Sequence, residues 1–225
     1  MNDPVELEFS RKYNEEHARQ YEEKHHAGFW RQMSHRRDEY LARRALAVAG
    51  EPGLVLDLPC GAGRFWPVLA EKRSRVIIGA DNSPAMINVA LQTQPPEIVE
   101  RVRPLHTSAF DISLPDCAVD SIFCMRLLHH VGNADHRLAM LREFHRVTRD
   151  SVIVSLWVDG NLKAWRRKRL EARRSHDSEA YQNRFVLPVD TVESEFRMAG
   201  FRIQRYFDFL PMYAMWRVYV LKKDA

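Results

Sequence analysis

Cysteine is scarce in this 225-residue chain: Cys60, Cys117 and Cys124 are the three it has, and no two form a CxxC pair. Such a set excludes a disulfide framework and fits a reducing compartment with free thiols. No apolar run is long enough to span a bilayer. The opening MNDPVELEF is acidic and lacks the basic-then-apolar order of a secretion signal. The expected location is therefore the cytoplasm. Internal repeats and low-complexity linkers are missing too, so one domain with a helical N-terminal cap is the economical reading. No metal is expected.

What is present is globular. Hydrophobic residues make up 45% and charged residues 28% of the chain. The formal net charge of +4 favours anionic partners such as nucleic acid, phosphorylated glycans or an acidic membrane face. No integral membrane segment is expected; peripheral membrane contact is compatible with the charge.

The first fifty residues read as helices. Asp3, Pro4 and Glu6 make a start signal, and a second helix runs from Phe29 to Ala49 and stops at Gly50. From Leu54 the pattern alternates. LVLDL, RVIIGA, a stretch within RVRPLHTSA, SIFCMRLL and SVIVSLWV read as strands. RFWPVLAEKR, the segment capped by Ser83-Pro84, and HRLAMLREFHRVTR read as helices between them. Strands alternating with helices imply a mostly parallel sheet covered on both faces. Asp190 and Glu193 have capping-box spacing, and Gly200 ends that helix. FRIQRYFDF and YAMWRVYVL follow, too closely joined to be parallel.

Chemistry concentrates in four places. Asp57 precedes Gly61 and Gly63 where a strand turns into a helix, a position where backbone approaches a ligand closely. A nicotinamide fingerprint would need a third glycine at Trp66, so that cofactor fits poorly. Asp81 ends the second strand, about twenty residues past the turn, where an acid accepts from ribose hydroxyls. Phe110 could flank a purine ring and Asp111 accept from its amino group. The fourth strand runs into Arg126, His129 and His130.

LDLPCGAGRF, GADNSPAM, AFDISLPD and DSIFCMRLLHHV together resemble the class I S-adenosylmethionine-dependent methyltransferases, in particular the ubiquinone/menaquinone-biosynthesis-like group. The resemblance covers about residues 50 to 222. It implies a Rossmann-like seven-stranded, mostly parallel α/β sheet with an antiparallel C-terminal strand. Residues 1–50 would be the helical cap and residues 51–225 the methyltransferase domain. It also implies S-adenosyl-L-methionine as cofactor. Gly61 and Gly63 would pass its methionine part and Asp57 its amino group. Asp81 would hold the ribose, Asn82 and Met86 the adenine, and Phe110 and Asp111 the adenine edge. Arg126 would line the pocket. Pro59 stands where the family has its first glycine, which removes one N–H donor.

His129 and His130 are the candidate bases, since histidine titrates near neutral pH. The segment from Lys163 to Arg174 is the most basic in the chain. Either it is a solvated helical face with Trp165 and Leu170 tucked inward, or Arg166, Arg167 and Arg169 grip an anionic acceptor. No Asn/Asp-Pro-Pro-aromatic sequence follows the fourth strand, which tilts the expected acceptor towards an oxygen. The expectation is O-methylation of an anionic glycan or small molecule, such as a phosphorylated lipopolysaccharide precursor. The alternatives are an RNA methyltransferase using residues 163–174, and a non-enzymatic module of the same fold acting through a protein partner.

Overall fold

The computed structural model describes residues 29–171 and 184–224. The first capping signal lies outside the described residues, as do Arg173 and Arg174. The N-terminal helix, α1, spans Phe29–Val48. It stops where Gly50 turns to φ 78°, a left-handed conformation that glycine adopts without strain. Leu41, Ala42, Ala45 and Leu46 are buried on one stripe of it.

The alternating region folds largely as its pattern predicts. In chain order come β1 (Leu54–Asp57), α2 (Trp66–Ala70), β2 (Val76–Asp81), α3 (Pro84–Thr93), α4 (Pro96–Val99) and β3 (Val102–His106). Then follow β4 (Val119–Cys124), a 3-10 turn at Leu128–His130, α5 (Ala134–Val147) and β5 (Thr148–Trp157). The rest is α6 (Leu162–Glu171), α7 (Val189–Met198), β6 (Phe201–Asp208) and β7 (Trp216–Lys223). The seven strands form one sheet in the order β3-β2-β1-β4-β5-β7-β6. Strands β1 to β5 pair in parallel, and β7 runs antiparallel between β5 and β6.

Side chains alternate across the pleat, so neighbouring residues feed opposite cores. Leu56, Ile122 and Val152 pack with Phe144 of α5 and Phe196 of α7. Val55, Phe123 and Ile153 pack on the other face with Leu41 of α1, Trp66 of α2 and Ile87 of α3. Each large apolar side chain buried this way contributes about 1.5–3 kcal/mol before entropy is counted.

Two local readings need correction. The helix expected over RFWPVLAEKR is only five residues long. Arginine side chains satisfy the carbonyls at its end: Arg75 donates to the Leu69 carbonyl and Arg101 to that of Ala70. Those groups need no further turn of helix. The Asp190/Glu193 capping box does not form either. The cap is Pro188, Asp190 lies inside the first turn, and Glu193 accepts instead from the Tyr219 hydroxyl.

A buried ion pair ties α5 to α7. The Arg137 guanidinium donates to Glu195 Oε2 at 2.8 Å and Oε1 at 2.5 Å, and also to the Val131 and Gly132 carbonyls. Removing one partner strands the other charge in the core. Arg137→Ala should therefore destabilise the fold by about 3–5 kcal/mol. Urea unfolding checks this, and adding Glu195→Leu should recover part of the loss.

Candidate cofactor and acceptor site

Strand β1 lies between β2 and β4, so the chain leaves the sheet centre in opposite directions from β1 and β4. In open α/β sheets ligands bind at such a switch point, outside the carboxyl ends of the strands. The parallel register brings Asp57, Asp81 and Arg126 to this edge.

The turn after β1 is organised by Asp81. Its Oδ2 accepts the Gly61 N–H at 2.9 Å and its Oδ1 the Ser83 N–H at 3.0 Å. One carboxylate thus holds both the glycine turn and the start of α3. Ser83 caps that helix as predicted, accepting from the Met86 N–H. Gly61 and Gly63 sit at φ 53° and 71°. Gly63 also makes room: a Cβ there would lie 2.8 Å from the Trp66 ring, and one at Gly79 would lie 2.6 Å from it. The Leu58–Pro59 peptide is cis.

Asp57 is buried beneath this turn. Burial pushes its carboxyl well above the usual range, the neighbouring Asp81 charge adds to that, and the Trp66 indole N–H offsets part. Neither Asp57 Oδ2 nor Trp66 Nε1 closes a hydrogen bond among the described residues. Burial also raises Asp81, and the Ser83 and Gly61 N–H groups pull it back in part. Cys60 and Cys124 are buried thiols raised by desolvation, hence protonated packing residues.

The remaining cofactor candidates surround this centre. Met86 is buried and Asn82 exposed at the start of α3. Phe110 is half-buried against His136 at 6.3 Å, and Asp111 is exposed on the same loop. Arg126 has φ 65°, and its N–H donates to Ser155 Oγ. Its guanidinium lies 4.9 Å over Trp216.

Two features escaped the motif reading. Asp38 of α1 accepts from Arg64 at 2.7 Å and from Arg126 at 2.5 Å. It thereby joins the glycine turn to the segment after β4. A lone aspartate in a charged helix carries no spacing signal, so nothing in the sequence singles it out. The second is an aromatic cluster. The His129 ring lies 5.1 Å from Trp157, 4.7 Å from Trp216 and 4.0 Å from His130. Trp157 ends β5 at the ligand edge, which is the clue the sequence did offer.

The two histidines differ. His130 is half-buried, whereas His129 is buried and desolvation pushes it down to about 2. His129 is a neutral ring and a poor base, which leaves His130 as the better placed of the expected pair. His129 Nδ1 and Trp157 Nε1 are buried without a partner among the described residues. The three candidate arginines separate as well. Arg167 stacks over Trp157 at 5.2 Å, with Arg184 at 5.8 Å. Arg166 and Arg169 are exposed.

These shifts set two pH responses. A buried acid with a raised value keeps a proton that the unfolded chain releases. Stability therefore falls as pH rises from the ordinary carboxylate range through the folded value. Asp57→Asn removes that slope, so its advantage over wild type in urea unfolding should widen between about pH 5 and about pH 8. The His129 ring resonances should stay constant over the same range in NMR titration.

No curated protein matches this sequence. Among solved structures, magnesium protoporphyrin IX methyltransferase from Synechocystis PCC 6803, crystallised with S-adenosylmethionine, superposes with a TM-score of 0.69 at 15% identity, over 100% of both chains. Human N-acetylserotonin methyltransferase gives 0.60 at 17% identity, over 84% of this chain and 52% of its own. At these identities the likeness establishes the Rossmann-like methyltransferase fold. Residues 55–151 match the family model of a methyltransferase domain. The match agrees with the enzyme class and the cofactor expected from the motifs, a methyltransferase that uses S-adenosylmethionine.

Proposed function

We propose that this enzyme transfers a methyl group from S-adenosylmethionine to an oxygen of an anionic small molecule or glycan, a phosphorylated lipopolysaccharide precursor being one such acceptor. The ubiquinone/menaquinone-biosynthesis-like group is the proposed subfamily, on the motifs alone. The observation that carries the reading is the buried carboxyl pair, Asp57 and Asp81, behind a glycine turn at the switch point. A buried carboxyl oxygen with no partner is costly, and a cationic ligand relieves it. S-adenosylmethionine fits, since it brings an ammonium and a sulfonium together with a ribose and an adenine. When bound, it supplies a methyl group already activated as a sulfonium.

The protein's task is alignment and exclusion of water. Asp57 takes the amino group, Gly61 and Gly63 pass the methionine portion, and Asp81 accepts from the ribose through lone pairs its two N–H partners leave open. Met86 and Asn82 flank the adenine, with Phe110 and Asp111 at its edge. Arg126, tethered by Asp38, closes the side facing the acceptor.

The acceptor faces Trp157 and Trp216. The cluster supplies flat apolar walls, the unpaired Trp157 N–H, and the guanidiniums of Arg126, Arg167 and Arg184. Converging guanidiniums select a carboxylate or phosphate. Where the acceptor is a hydroxyl, His130 takes its proton.

Calorimetry with S-adenosylhomocysteine tests the cofactor half. Wild type should bind in the micromolar range, and Asp81→Ala should bind at least tenfold more weakly, about 1.4 kcal/mol. Folded wild-type protein that gives no binding heat at several temperatures would overturn the reading.

A further inference from the structure

Among the described residues, large apolar side chains that the site does not use are exposed on α6 and on the turn between β6 and β7. Trp165 is 56% exposed and Met212 82%, with Leu162 and Tyr213 also exposed; Leu170, 60% exposed, lies further along α6. Trp165 and Leu170 therefore point outward, against the one of the two readings of this segment that tucked them in. Helical spacing explains the arrangement. Ala164 is buried and Arg167 half-buried on one side of α6, which turns positions 162, 165, 166, 169 and 170 towards solvent.

The turn between β6 and β7 extends this face. Residues 209–215 contain no charged side chain. The Leu162 N–H donates to the Met212 carbonyl at 2.9 Å and the Lys163 N–H to that of Tyr213 at 3.1 Å. The turn and the start of α6 are thus one fixed unit. Met212 holds φ 62°, which is unfavourable for a side chain of its kind, and the turn presents it to solvent.

Basic groups ring the apolar centre. Arg169 lies 5.3 Å over Trp165, and Lys163 lies 5.2 Å over Tyr213. Arg166 is exposed, and Lys168 is paired with Asp159. Aliphatic and aromatic side chains projecting through a cationic rim match an anionic bilayer: headgroups meet the cations while Trp and Tyr sit at the interface. Nucleic acid would use the same cations and the Trp ring, but gives no partner to Leu162, Leu170 and Met212.

We propose that α6 and the β6–β7 turn form a docking surface for an anionic phospholipid membrane. The surface lies at the carboxyl edge of the sheet, the edge that carries Trp157 and Arg126, so docking brings that edge towards the bilayer. It involves no cofactor residue, and its test is independent of the methyl-transfer reading.

The test is co-sedimentation of the full chain with vesicles of phosphatidylcholine alone, or with about a third phosphatidylglycerol. Wild type should bind the anionic vesicles at least tenfold more tightly than the neutral ones, and lose binding as salt shortens the Debye length. The double variants Trp165→Ser/Met212→Ser and Arg166→Gln/Arg169→Gln should each lose at least tenfold, with unchanged thermal midpoints and unchanged S-adenosylhomocysteine binding. No binding to anionic vesicles would overturn the proposal, and so would equal binding by wild type and the Trp165/Met212 variant. Transfer RNA bound more tightly than anionic vesicles, and indifferent to the Trp165/Met212 variant, would overturn it in favour of a nucleic-acid surface.

Discussion

The placement of Asp81 is the constraint on which the rest of the site depends. Its two oxygens hold two backbone N–H groups, one from the glycine turn after β1 and one from the entry to α3. Parallel pairing sets Asp57 opposite Gly79, two residues before Asp81. The sheet register alone therefore brings two carboxyls together behind one turn. Burial and mutual repulsion raise Asp57. The turn is preorganised, at an electrostatic cost that a cationic ligand offsets.

The N-terminal helix is part of the same arrangement. Asp38 reaches from α1 to Arg64 and Arg126, which lie on the two segments leaving β1 and β4. The bridge thus links the two segments that leave the switch point. Asp38 is buried, and two guanidiniums on one carboxylate hold more firmly than an exposed pair. Arg126 is further held by Trp216 and by its own N–H bond to Ser155. Through Asp38, α1 is thus tied directly to the segment that carries Arg126.

Periodicity made the sheet legible. LVLDL, RVIIGA and SVIVSLWV are apolar runs of strand length between turn signals, and the structure has strands there. Ser83-Pro84 and Gly200 gave helix ends with a local mechanism, and both hold. The capping box at Asp190 failed because Pro188 can start a helix on its own, leaving Glu193 to the Tyr219 hydroxyl. The short α2 failed because its terminating groups, Arg75 and Arg101, come from elsewhere in the sequence. Glycine-turn positions were legible because backbone geometry leaves a residue signature. Asp38, Arg184 and the His129 environment were not, because each depends on what the fold brings beside it. No local pattern distinguishes a desolvated histidine from its half-buried neighbour.

Charge shows the same limit. The chain has 34 basic against 30 acidic side chains, a modest excess that says little about partners. Much of the arginine is engaged internally. Arg75 and Arg101 hold backbone carbonyls, Arg146 holds Glu143 with the Ile112 and Leu114 carbonyls, and Arg149 holds Asp120 with two more. These groups act as mechanical fasteners, and their charge is locally answered. Exposed α6 is different: five basic residues stand between Lys163 and Arg169 with no acid among them. A small net charge thus becomes a strong local one, and it lies at the carboxyl edge of the sheet. The field at that edge is set by this local concentration of charge, far more than by the sum of charges over the chain.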